Sequence, residues 1–262
     1  MFPIDIGKIV RSRCGFCPPS WILATLRRLL HEEEINALLE GGKGMPEREF
    51  LQYIFRYFHI TYTLHGELPP SHNRYIFVAN HPFGGMDGMM LAEILLKNWD
   101  DVGVVVNDML MHIEPLRGLW IPVNKFGRQR IANASLYNDA LHSATKQVLT
   151  FPAGLCSRLE SGRVADLKWS FRFVKDAVKS ERQIVPVLVC GALSSRFYNI
   201  YRLRQFLGIR ANVELLFLVD EMFRQRRQHI HIHIGRPINP LSLTGDLQTQ
   251  CAFVRQKVES LA

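Results

Sequence analysis

From Tyr75 to Ile234 the chain alternates short, nearly all-apolar runs with longer helical stretches, and this rhythm restricts the fold more than any other feature. The runs are Tyr75 to Ala79, Val102 to Val106, Leu119 to Val123, Val148 to Phe151, Ile184 to Val189, Val213 to Val219 and His229 to Ile234. Strands apolar on both faces are strands buried on both faces, and their alternation with helices implies crossovers covering a parallel sheet. The expectation is therefore an α/β fold, a mostly parallel mixed sheet of about seven strands flanked by helices.

The N-terminal segment, 1–70, reads as a helical preface. Ile22, Leu26, Leu29 and Leu30 fall at helical spacing beside Arg27 and Arg28, ahead of the acidic run Glu32-Glu33-Glu34 and of Gly41-Gly42. After Pro46, the set Phe50, Leu51, Ile54, Phe55 and Phe58 marks a second amphipathic helix, whose aromatic face suits a core or a lipid interface. With Pro69-Pro70 as the joint, the division is a helical segment, 1–70, and an α/β domain, 71–262.

Composition narrows the function classes. Lys plus Arg exceed Asp plus Glu by 32 − 24 = +8, which favours an anionic partner such as phospholipid, an acidic carrier protein or nucleic acid. The five cysteines do not form a disulfide framework; Cys14 and Cys17 make a CxxC without a second ligand pair, so no metal site is expected. His229, His231 and His233 share one face of a strand whose other face carries Ile230, Ile232 and Ile234, and without a carboxylate partner they read as structural. The N-terminus has no secretory-signal pattern, and no uninterrupted apolar stretch approaches the roughly 20 residues that cross a bilayer. The expected location is cytoplasmic, with any work on lipid done from the surface.

Two stretches carry chemistry. Asn80-His81-Pro82-Phe83-Gly84-Gly85-Met86-Asp87-Gly88 follows the first run, where α/β sheets bind ligands, and pairs a histidine with a carboxylate suited to orient it as a base. Positions six apart lie about 240° round a helix, so the two side chains meet only across a turn, which Gly84-Gly85 can supply. Phe151-Pro152-Ala153-Gly154-Leu155-Cys156-Ser157-Arg158 follows another run and can present backbone amides and a guanidinium to an oxyanion. Within it, Cys156 reads as a small buried residue ahead of a nucleophile.

In this order, and with the strand Ile184-Val185-Pro186-Val187, these stretches resemble the motifs of the glycerolipid and lysophospholipid acyltransferases. The first is similar to that family's NHxxxxD motif, the second to its FPEGTRS motif and the third to its Pro-containing fourth motif, from Tyr75 to Pro237, more than half of the chain. The resemblance implies acyl transfer from an acyl carrier protein or coenzyme A thioester to a lipid hydroxyl. His81 would be the base and Asp87 its orienter, with no cofactor and no metal. It implies substrate contacts at Asn80, Gly84, Gly85, Phe151, Pro152, Gly154, Ser157 and Arg158.

The departures point to the acceptor. Five residues separate His81 from Asp87 where the family has four. Ala153 stands for the motif's Glu and Leu155-Cys156 for its Thr-Arg, and the Gly–Arg pair of a further motif is poorly matched after Gly118, where Val123, Asn124 and Lys125 stand. In the family those Glu and Arg side chains go with glycerol-3-phosphate binding. The pattern is closer to a bacterial, hemolysin-like subgroup that resembles aminolipid O-acyltransferases, whose acceptor carries a carboxylate that Arg158 can bind. The expected function is O-acylation of a lyso-aminolipid. Its alternatives are acylation of 1-acylglycerol-3-phosphate, transfer to an amine, and a non-catalytic lipid-binding module.

Arg196, Arg202, Arg204 and Arg210 interleave with Phe197, Tyr198, Tyr201 and Phe206, and Arg224, Arg226 and Arg227 add further basic charge. With the acyltransferase resemblance, this segment is expected to dock on an anionic membrane, at the inner face of a bacterial cell membrane, or on the acyl carrier; nucleic acid is not an expected partner.

Overall fold

The structure, a computed structural model, describes residues 3–16, 18–123, 130–160, 162–209 and 212–261. The chain opens with α1 (Ile6–Cys14), α2 (Ser20–Leu29), α3 (Glu32–Gly41) and α4 (Glu47–Phe58). There follow β1 (Thr61–His65), β2 (Tyr75–Ala79), α5 (Gly85–Leu95), β3 (Val102–Val106) and β4 (Trp120–Pro122). Next come α6 (Arg130–His142), β5 (Gln147–Thr150) and a small hairpin of β6 (Arg158–Glu160) and β7 (Arg163–Ala165). The remainder is α7 (Arg172–Ser180), β8 (Gln183–Val189), α8 (Ser195–Phe206), α9 (Leu218–Arg224), β9 (His229–Ile234) and α10 (Leu247–Glu259).

Seven strands form one sheet in the order β1-β9-β8-β2-β5-β3-β4. All neighbours run parallel except β8 and β9, so the sheet is the mostly parallel, mixed one expected. Alternation along β2 splits the core into two layers. Tyr75, Phe77 and Ala79 face a cluster built with α4 and α5, while Ile76 and Val78 face one built with Tyr137 of α6, Phe173 of α7 and Val254 of α10.

Two expectations about elements change. Val213 to Val219 is not a strand: Val213–Phe217 is a 3-10 turn that runs into α9. A short apolar run reads alike in a strand and in a buried helix, and here the segment carries Glu214 into buried ion pairs with Arg158 and Arg204. The seventh strand is instead β1, inside the N-terminal segment 1–70, lying parallel to β9 with Thr61 opposite His229. The aromatic face of α4 is core: Phe50, Leu51, Ile54, Phe55 and Phe58 are all buried in the layer that holds α5.

Arg182 fastens the N-terminal end of the sheet. Fully buried, it donates to the backbone carbonyls of Tyr75, Ala140, Leu141, Ser143 and Lys146, tying α6 to β2 and β5. A buried cation fully hydrogen-bonded in this way avoids most of its desolvation cost. No described helix is long and apolar enough to cross a membrane.

Candidate active site

At the carboxyl end of β2 the chain turns sharply into α5. Asn80 fixes the start of the turn: its side chain donates to Val189 O at 2.9 Å and accepts from Val189 N–H at 2.7 Å, continuing the β2–β8 ladder by one artificial rung. Gly84 makes the corner at φ 70°, ψ −129°, torsions that a residue with a Cβ adopts only under strain. Asp87 then falls in the first turn of α5 and points back at the loop.

That corner brings the histidine and the carboxylate together. His81 Nδ1 lies 3.0 Å from Asp87 Oδ2, off the straight line of an ideal hydrogen bond, and Phe83 N–H donates to the same oxygen at 2.8 Å. Asp87 is fully buried, and burial pushes its carboxyl above the ordinary carboxylate range while His81 and the Phe83 N–H pull it back. A buried carboxylate of this kind gains most when its neighbour becomes an imidazolium.

The second motif locks His81 from the other side. The Phe151 ring stacks on the imidazole with centroids 4.2 Å apart, and Ser157 N–H donates to His81 O at 2.8 Å. Pro152 is buried beside it, and Gly154 turns with φ 68° at a place where an added Cβ would meet nothing within 4 Å. Gly85 opens α5 with comparable room, its nearest neighbour being Leu110.

Arg158 is turned inward. Its guanidinium is buried, 2.8 Å from Glu214, over the rings of Phe197 and Tyr201, and donates to Cys156 O. Arg204, expected on the docking surface, is a correction: it is buried because Glu214 holds it at 2.9 Å from its other oxygen. Arg196 pairs with Asp220, Arg202 is exposed, and Arg210 lies outside the described residues, as do Cys17, Asn124, Lys125 and the Cys14 side chain.

Cys156 is buried and its thiol is pushed up to about 11 by burial. A thiol held protonated by burial in this way is poorly suited to act as a nucleophile. Cys156→Ala is expected to keep most of the wild-type turnover, and prior treatment with iodoacetamide at pH 7 to leave the wild type active; inactivation in proportion to Cys156 alkylation would show a reactive thiol.

Three contributors had no clear signal in the sequence. Asp166 is a buried acid that accepts from His81 N–H at 3.1 Å, from Ser157 Oγ at 2.6 Å and from Trp169 Nε1 at 2.8 Å, so it holds both motifs in register. Glu214 sits in a run that reads as a strand. Gly191 lies against Phe83, and any Cβ there would overlap the Phe83 ring. Gly191→Ala is therefore expected to displace the Asn80–Asp87 turn and lower turnover by about tenfold or more, since small misplacements of catalytic groups cost that much; unchanged turnover would mean the turn tolerates the shift.

Two narrow clefts flank the turn, one apolar and one with Gln225 and Gln228 among its walls. One is lined by Phe83, Met86, Leu193, Met222 and Ile230, the other by Phe50, Ile54, Met89, Met222 and Phe223. The methionines that line both are flexible and polarizable and adapt to an inserted chain. The three β9 histidines are elsewhere, on the strand between β8 and the edge strand β1: His229 bonds Thr61 and Thr63, and His231 bonds His65.

Comparison with known proteins gives the family of the chain. A lyso-glycine lipid O-acyltransferase of Bacteroides thetaiotaomicron is 34% identical over 248 residues, covering 91% of this chain and 89% of that protein. Its namesake in Phocaeicola vulgatus is 34% identical over 243 residues, covering 91% and 87%. The crystal structure of the 1-acyl-sn-glycerophosphate acyltransferase PlsC from Thermotoga maritima aligns at 17% identity and TM-score 0.48 over 97% of this chain and 86% of that one. The family model described as Acyltransferase matches residues 11–262, reaching upstream of the motifs into α1, and the chain belongs to that acyltransferase family.

Proposed function

We propose that the protein transfers a fatty acyl group from an acyl carrier protein or coenzyme A thioester to the hydroxyl of a mono-acylated aminolipid, with His81 as general base. One observation carries the mechanism: His81 Nδ1 faces the buried Asp87 carboxylate at 3.0 Å, which leaves Nε2 for the acceptor. The acceptor oxygen attacks the thioester carbonyl carbon as its proton passes to Nε2, and Asp87 stabilises the imidazolium. In this reading the oxyanion of the tetrahedral intermediate sits at the N-terminus of α5, the positive end of the helix dipole. Collapse breaks the C–S bond, and the thiolate leaves with the proton from His81, giving an ester and a free thiol. No cofactor enters this scheme.

The acceptor class rests on the relatives, which are named for lyso-glycine lipids. It rests also on Ala153 and Cys156 standing where phosphate-binding side chains are expected. The acceptor would be reached at the inner face of the cell membrane. The test is purified protein with a 3-hydroxyacyl glycine, with lysophosphatidic acid and with glycerol-3-phosphate, each with acyl carrier protein and coenzyme A donors. Alkali-labile product from the glycine lipid is expected; preference for a phosphate-bearing acceptor, or an alkali-stable product, would overturn the assignment.

A further inference from the structure

The end of α8 carries apolar side chains that no described residue covers. Phe206 is 86% exposed, Leu207 58% and Leu203 57%, and the turn and 3-10 segment beside them add Ile209 and Leu216. Leu203, Phe206 and Leu207 stand at i, i+3 and i+4 on one helix face. Soluble surfaces seldom cluster such residues without an interaction to serve.

The chemistry around the cluster favours one partner. From Ser195 to Val213 the sequence holds four arginines and no acidic residue, and the next acid, Glu214, is buried between Arg158 and Arg204. Arg202 is exposed beside Leu203. Protruding side chains at a helix end, with cationic neighbours, match the water–lipid boundary of an anionic bilayer, where rings and aliphatics insert and guanidiniums meet headgroups. The same helix leads back to the site: Phe197 and Tyr201 pack on Arg158, and Phe206 lies roughly 14 Å farther along the axis than Phe197.

We infer that the α8 tip, Leu203, Phe206, Leu207 and Ile209 with Arg202, is the element that seats this protein on an anionic membrane and holds its catalytic turn within reach of lipid acceptors. The inference rests on the lipid-acceptor reading for its purpose, while the docking itself is measured independently of turnover.

The experiment is co-sedimentation with phosphatidylcholine vesicles with and without phosphatidylglycerol, for wild type, Phe206→Ser, Leu203→Ser/Phe206→Ser and Arg202→Glu. Wild type is expected to bind the anionic vesicles, and the double variant to bind them about tenfold more weakly or worse, from the loss of two inserted apolar side chains. Arg202→Glu should weaken binding to anionic vesicles alone. Turnover of detergent-dispersed acceptor should be unchanged in all three. Equal vesicle binding by wild type and the double variant would overturn the inference, as would a wild-type dimer that Phe206→Ser dissociates, which would make the tip a contact between copies. Loss of turnover in detergent would also overturn it, placing the tip in the reaction itself. Vesicle binding lost in the variants, with no acylation of any lyso-lipid by wild type, would leave the docking standing and sink the proposed reaction.

Discussion

His81→Ala is expected to lower kcat by about a hundredfold to ten-thousandfold, the range that a positioned general base contributes, with KM for the thioester little changed. The histidine is held by Asp87, by stacking on Phe151 and by backbone bonds to Ser157 and Asp166, so removing its ring leaves the surrounding turn supported. Steady-state kinetics on purified protein would show this. Turnover within threefold of wild type would mean that the imidazole is not the base.

Asp87→Asn is expected to produce a loss of similar size by a different route. The amide oxygen can still accept from Phe83 N–H and face Nδ1, but the substitution removes the negative charge that stabilises the imidazolium formed in the reaction. The same substitution is expected to raise thermal stability at neutral pH. Because burial raises the Asp87 carboxyl in the folded protein, the native state holds that proton more tightly than the unfolded chain does. Stability from this group is therefore greatest at low pH and falls as pH rises from the ordinary carboxylate range through the raised value, so removing the charge helps above that window. Calorimetry at pH 7 beside activity assays would separate the two effects. Lost turnover together with a lowered Tm would indicate that the carboxylate chiefly supports the fold.

Much of this site was legible because its parts follow apolar strands that can hardly be anything else. Val102 to Val106 and His229 to Ile234 match their strands residue for residue, and Tyr75 to Ala79 does too, which placed His81 at a carboxyl end. The geometry across the turn followed from spacing alone: positions six apart cannot close on a helix face, and Gly84 takes the torsions that close them otherwise. What escaped depends on long-range contacts. Thr61 to His65 is a half-exposed edge strand that lacks an apolar run, and it forms because β9 offers it a ladder. Arg158 and Arg204 look like surface cations until Glu214, far from Arg158 along the chain, pairs with both inside the protein. Such a buried triad is costly unless all three members are present, and no local pattern announces it.

The central claim is that this site makes an ester on a lipid hydroxyl by way of His81. Its most direct test is lipid extraction from cells with the gene deleted and then restored as wild type or as His81→Ala, read by mass spectrometry before and after mild alkali. A mono-acylated aminolipid should accumulate on deletion, and its alkali-labile di-acylated form should return only with the wild type. Restoration by His81→Ala to the wild-type level would contradict the account and leave a lipid-binding role on an acyltransferase scaffold.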